Sequence, residues 1–124
     1  LMLLVLLTVA LVACQPASKT ITISEENASQ TINMKIGDTL NVSLEGNVTT
    51  GYNWVPAPQD PVLLEQVGEP QVTPQSDLVG APGEIVLTFK AIAQGETLLH
   101  LDYKQPWDET TPPEQTYEVT VVVK

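Results

Sequence analysis

From Ile21 to Val123 apolar and polar residues alternate in short runs, and this period of two restricts the fold more than any other feature of the chain. Successive side chains of a strand point to opposite faces, so alternation marks strands with one buried face. Ile21 and Ile23 open the pattern, and Ile32, Met34 and Ile36 continue it. Leu40, Val42 and Leu44 alternate with Asn41, Ser43 and Glu45, and Tyr52 and Trp54 share a face after them. Val62 to Val67 reads as a short strand or a helical turn, and Val67 to Val79 as an edge strand plus a loop. The clearest strand has Ile85, Leu87, Phe89 and Ala91 on one face. Leu99, Leu101 and Tyr103 follow, then Tyr117, Val119, Val121 and Val123. No segment sustains a helical period.

Turn residues punctuate these runs. Gly46 and Gly51 bracket one connection, Gly37-Asp38 and Gln94-Gly95-Glu96 make two more, and Gly80-Ala81-Pro82-Gly83 reads as a tight turn. Pro56, Pro58 and Pro61 end the strand that carries Trp54, because proline removes a ladder donor. Short strands at this spacing predict an all-β fold, an immunoglobulin-like antiparallel β-sandwich of Greek-key type with seven to eight strands. Cys14 is the only cysteine, so the sandwich has no disulfide and packing alone must hold its sheets together. Trp54 is expected at the centre of the core.

The first fourteen residues stand apart. Leu1 to Ala13 contains Thr8 as its one polar residue and leads into Leu11-Val12-Ala13-Cys14. Such a run is short of the roughly 20 residues a spanning helix needs and matches the apolar part of a signal peptide. Small residues before a cysteine resemble the lipobox of bacterial lipoproteins. The expected organisation is a lipoprotein signal peptide over 1–14 with Cys14 lipidated, a tether over 15–19, and one domain over 20–124. Such a chain would be held at a membrane of the cell envelope through the lipid on Cys14, facing the periplasm or the exterior.

Fifteen acids against five lysines, with no arginine, give a net charge of −10. Nucleic acid is excluded as a partner, since phosphate binding needs clustered cations. The same balance argues against an electrostatic grip on anionic lipid, leaving attachment to acyl chains. The scattered acids read as a solvated surface, and a monomer is expected. His100 is the single histidine and falls on the Leu98, Asp102 and Lys104 face. With no thiol in the domain, no second histidine and no serine in a nucleophile-elbow context, the sequence offers no enzyme, no metal centre and no cofactor site.

What remains is a scaffold with three unusual connections, and loops on sandwiches are where binding resides. Asn47-Val48-Thr49-Thr50-Gly51-Tyr52 is a short loop of small, uncharged residues, a composition suited to pressing against another surface. Gly80-Ala81-Pro82-Gly83 is the second. In the third, Gln105-Pro106-Trp107 places a large aromatic after a proline, outside any strand. Tryptophan is enriched among interface anchors, and proline lowers the ordering cost of binding.

Together the three stretches resemble the chagasin family, protein inhibitors of papain-like cysteine proteases. That family carries Asn-Pro-Thr-Thr-Gly-Tyr, Gly-rich and Arg-Pro-Trp loops in this order on an immunoglobulin-like sandwich. The resemblance spans roughly Lys19 to Lys124 and includes Tyr52-Asn53-Trp54. It implies a non-covalent wedge that occludes the protease cleft. Thr49, Thr50 and Gly51 would lie over the catalytic cysteine, with Trp107 on one flank and the Gly80 to Gly83 loop on the other, where Gly80 and Gly83 would allow close backbone approach. Two residues depart from the family pattern: Val48 in place of proline, expected to soften the first loop, and Gln105 in place of arginine, which removes a planar cation. The alternative reading of the same loops is a non-inhibitory, lipid-anchored binding module for an envelope protein or a glycan.

Overall fold

The alternating residues are the ones that bury. In the computed structural model, which describes residues 17–74 and 82–124, the core is built from inward positions of every long strand: Leu40, Val42 and Leu44, Ile85, Leu87 and Phe89, Leu99 and Leu101, and Val119 and Val121. Nine strand segments carry them: β1 (Thr20–Ile23), β2 (Thr31–Met34), β3 (Thr39–Gly46), β4 (Asn53–Pro56), β5 (Leu64–Gln66), β6 (Gln71–Pro74), β7 (Gly83–Ala91), β8 (Gly95–Lys104) and β9 (Gln115–Val123). One sheet runs β1-β3-β7-β5, with β6 also on β7, and the other runs β2-β9-β8-β4. The two sheets face each other across the shared core, the immunoglobulin-like sandwich expected from the alternation.

Both β5 and β6 pair with β7, Leu64 to Gln66 opposite Phe89 to Ala91 and Gln71 to Pro74 opposite Gly83 to Val86. They are two halves of one edge, so the nine segments fill eight strand positions. Two pairings are parallel, β1 with β3 and β2 with β9, so each sheet is mixed where the sequence reading expected antiparallel pairing throughout. The cause is the path of the chain, which changes sheet after β1, after β2 and after β3.

Several boundaries differ from the sequence expectation for local reasons. The strand expected to reach Ile36 ends at Met34, and Ile36 is exposed. The Asp38 carboxylate accepts the N–H groups of Lys35 (2.9 Å) and Lys19 (3.0 Å), which closes the turn two residues early. Pro56 is the last residue of its strand, as the sequence reading expected. It lies on β4, a free edge of its sheet, while the next residue, Ala57, donates to the His100 carbonyl at 2.9 Å. The alternation of ladder bonds leaves proline's missing N–H on the solvent side, the position an edge strand tolerates.

Gly46 and Gly83 are not turn residues. They pair with each other inside β3 and β7, both buried. A Cβ on Gly83 would stand 2.8 Å from the Thr73 carbonyl oxygen, and one on Gly46 would stand 2.6 Å from Ile85 Cδ1 and 3.1 Å from Tyr103 Cε2. Close packing between strands, not turn conformation, requires glycine at 83, and at 46 a Cβ would displace the terminal methyl of Ile85. Trp54 is buried, but at the end of the core rather than its centre, where its indole N–H donates to the Glu45 carbonyl at 3.1 Å.

Candidate functional site

Strand register brings three connections to one end of the sandwich. The end of β3 pairs with the start of β7 (Gly46 with Gly83), and Gly83 pairs on its other side with Pro74 at the end of β6. In the second sheet the start of β4 pairs with the end of β8 (Asn53 with Lys104), and Tyr103 pairs with Gln115 at the start of β9. The β3–β4, β6–β7 and β8–β9 connections therefore leave from the same pole.

The first loop is a single 3-10 turn over Val48–Thr50, and its stiffness comes from the asparagine ahead of it. Asn47 is the N-cap: its Oδ1 accepts from the Thr49 N–H at 3.1 Å and the Thr49 hydroxyl at 2.5 Å. The Thr50 hydroxyl donates to the Asn47 carbonyl at 2.8 Å, and Gly51 closes the turn with an N–H bond to Val48 O at 3.0 Å. Gly51 has φ +82°, the left-handed conformation that glycine adopts without penalty. Both threonine hydroxyls are thus turned into the loop, and the surface they offer is their methyls and backbone. Val48 packs against the core, so the residue expected to soften the loop pins its base.

Beneath this loop stands Tyr103, which sequence reasoning placed on a strand face and gave no part in the site. Its hydroxyl accepts the Asn47 N–H at 2.8 Å and donates to the Asn47 carbonyl at 3.4 Å. Its ring packs between Tyr52 and Trp54, with centroids 5.4 and 5.1 Å away. A signal was present, since three aromatics flank the ends of two loops, but only the register shows that they meet.

The third loop begins with a turn at Gln105-Pro106-Trp107-Asp108, closed by the Asp108 N–H on Gln105 O at 3.0 Å. Proline at its second position presets φ for such a turn. The Asp108 carboxylate then accepts the backbone N–H groups of Thr110 (2.9 Å) and Thr111 (3.0 Å). Bonds from Thr111, and then Thr110, hold its carboxyl well below the usual carboxylate range. Trp107 is thereby displayed at 70 % exposure, the highest among the large apolar residues described as exposed.

Loops one and three touch. Gln105 Nε2 donates to the Thr50 carbonyl at 3.2 Å, and the Trp107 indole lies against Gly51. Gln105 thus ties the two loops together through the side chain that replaces the expected cation. Of the second loop, Pro82 is exposed and Gly83 is the buried first residue of β7. Gly80 and Ala81 lie outside the described residues, as does Cys14. A hollow of about 330 Å³ separates Asn47 of the first loop from Pro82 of the second, with Glu25 and Glu45 on its wall.

His100 stands away from this pole, on the outer face of the second sheet. Its ring nitrogens meet Asp102 Oδ1 at 2.7 Å and Glu118 Oε1 at 2.6 Å. Partial burial opposes its charge, but Asp102 and Glu118 outweigh that and raise its pKa above the usual value. With both nitrogens occupied it has none to offer a metal, and among the described residues no group of three His, Cys, Asp or Glu is placed to hold one.

Comparisons with known proteins bear on the fold and the family. No curated protein matches the chain. Among solved structures it is similar to a cysteine protease inhibitor, EhICP2, from Entamoeba histolytica, with TM-score 0.73 and 21 % identity over 89 % of this chain and all of that one. It is similar to amebosin, with TM-score 0.64 and 27 % identity over 87 % of this chain and 99 % of that one. PbICP-C, solved in complex with falcipain-2, matches with TM-score 0.54 and 19 % identity over 86 % of this chain and 100 % of that one. Residues 33–121 match the family described as chagasin family peptidase inhibitor I42. The chain belongs to the chagasin family of peptidase inhibitors.

Proposed function

We propose that this protein inhibits papain-like cysteine proteases by inserting the Thr49-Thr50-Gly51 tip into the active-site cleft, with Trp107 on one flank and the β6–β7 connection on the other. The observation that carries this reading is the bracing of the tip. Asn47 caps it from within, Tyr103 supports it from below, and Gln105 and Trp107 hold it from the side. A loop ordered before binding loses little conformational entropy on docking. The tip itself carries no charge, so entering a cleft that holds a thiolate–imidazolium pair desolvates no ion on the inhibitor. The hydroxyls bonded inside the loop leave no nucleophile or electrophile exposed, and inhibition is by occlusion.

The protein is held at a membrane through lipid on Cys14 in this reading, and acts at the bacterial cell envelope as a monomer. The chain enters β1 at the pole opposite the loops, where Thr20 pairs with Thr39 at the start of β3. A tether from Cys14 would therefore leave the wedge pointing away from the bilayer.

Amide exchange of the protein with and without papain tests the wedge. Slowed exchange confined to 47–52, the β6–β7 connection and 105–108 supports it. Protection on the outer face of the second sheet, around His100, would mean that a different surface binds.

A further inference from the structure

The pole opposite the loops differs from the rest of the molecule in both charge and apolarity. Four of the five lysines are there, all exposed: Lys19, Lys35, Lys90 and Lys124. Lys19, Lys35 and Lys124 line one depression with Asn33 and Met34, and Lys90 pairs with Thr39 at the start of β3. Asp38, Asp60, Glu65 and Glu96 share this pole, so four cations meet four anions and the net charge of −10 belongs to the remainder. Exposed aliphatics lie among the lysines. Ile36, Val62 and Ile92 are 52, 59 and 45 % exposed. The backbone brings their three connections together, through Gly37 N–H on Ala91 O and Ile92 N–H on Leu63 O, both 2.9 Å.

We infer that this pole is a lipid-facing surface, on which Ile36, Val62 and Ile92 enter the headgroup region while the surrounding lysines meet lipid phosphates. Two observations favour lipid as the occupant. The polypeptide that joins this pole at Lys19 comes from the apolar run Leu1 to Ala13, so the residues nearest the bilayer in an anchored chain are the ones gathered here. Charge sorts the two poles as well. Glu25, Glu45, Glu84, Asp108, Glu109 and Glu114 stand near the loops with Lys104 as the cation there, so an anionic membrane repels the loop pole and tolerates the lysine pole. Exposed aliphatics ringed by lysine are the composition of surfaces that settle into headgroups. Whole-chain charge argues against any electrostatic contribution to membrane contact, whereas its distribution leaves this pole neutral, with lysines free to meet phosphates, and places the repulsion at the loops. The consequence is orientation: the wedge is held upright instead of swinging on a flexible tether. This inference rests on the proposed N-terminal anchoring.

The test uses the full chain reconstituted in vesicles of phosphatidylethanolamine and phosphatidylglycerol with brominated acyl chains, which quench a nearby indole. Ile36→Trp and Ile92→Trp each add a reporter at the pole, and Thr50→Trp adds one at the tip. After subtraction of wild-type emission, the two pole reporters should lose roughly half of their signal to brominated lipid and the tip reporter almost none. Lys35→Glu with Lys124→Glu, or molar salt, where the Debye length is about 3 Å, should restore much of it. Chain that floats with the vesicles but leaves all three reporters unquenched overturns the inference while keeping the anchor. Failure to float overturns both. Lipid-independent, concentration-dependent changes at the pole reporters would instead assign this face to a second copy of the chain and overturn the inference.

Discussion

The indole of Trp107 occupies the space a side chain at position 51 would need: a Cβ on Gly51 would stand 2.6 Å from Trp107 Cη2 and 3.3 Å from Cζ2. One residue thus serves both loops, by adopting φ +82° in the first and by giving the third a flat seat. Gly51→Ala therefore carries two costs. The left-handed conformation costs about 1–2 kcal/mol for alanine, and the indole must move. Inhibition of papain should weaken by roughly tenfold or more, equivalent to about 1.4 kcal/mol, with a fall in Tm of about 5 °C. Unchanged Trp107 emission and unchanged inhibition in this variant would show that the two loops do not depend on each other.

Trp107→Ala separates binding from folding. At 70 % exposure the indole contributes little to the core, so stability should change by no more than about 0.5 kcal/mol. As an anchor its loss should cost about 2 kcal/mol, roughly 30-fold in the inhibition constant. His100→Ala, on the outer face of the second sheet, is the control and should leave inhibition unchanged. Equal inhibition constants for the two variants would remove Trp107 from the interface.

Tyr103→Phe deletes one oxygen beneath the first loop. The Asn47 N–H loses its 2.8 Å acceptor, and the expected destabilisation is about 1–2 kcal/mol. Faster amide exchange over 47–51 should accompany it, with the rest of the sandwich unaffected. Exchange unchanged over those residues would mean that the Asn47 cap alone orders the loop.

Most of the sandwich was legible because its strands bury one face, and alternation records burial. Leu40, Leu87 and Val121 are where their periodicity puts them. Parallel pairing of β1 and β2 was not legible, because alternation is blind to strand direction. Gly46 and Gly83 were misread for a related reason: glycine in a sequence signals freedom or closeness, and only the facing Ile85, Tyr103 and Thr73 decide which. In the site, Thr49, Thr50, Gly51 and Trp107 could be named from residue type and spacing. Tyr103 and the inward role of Gln105 depend on contacts between residues some fifty positions apart, 103 with 47 and 105 with 50.

Asp38 links stability to pH. Backbone N–H bonds from Lys19 and then Lys35 hold its carboxyl below the usual value of 3.8. A lowered folded pKa contributes stability that is present above 3.8 and is lost as pH falls through the depressed value. Asp38→Asn should therefore lower Tm by a constant amount between about pH 7 and pH 5. The gap to wild type should narrow below about pH 4 as the native carboxyl protonates. A gap that stays the same down to pH 2 would mean that the bonds to Lys19 and Lys35 do not depend on the charge.

Titration of papain with the purified protein tests the central claim most directly. Enzyme at a concentration well above the inhibition constant should lose activity linearly to an endpoint of one inhibitor per active site. The inhibitor should be recovered uncleaved and the enzyme fully active after dissociation. Papain and its relatives left fully active at micromolar excess would contradict the account, and so would an inhibitor cleaved within Asn47 to Tyr52 during the assay.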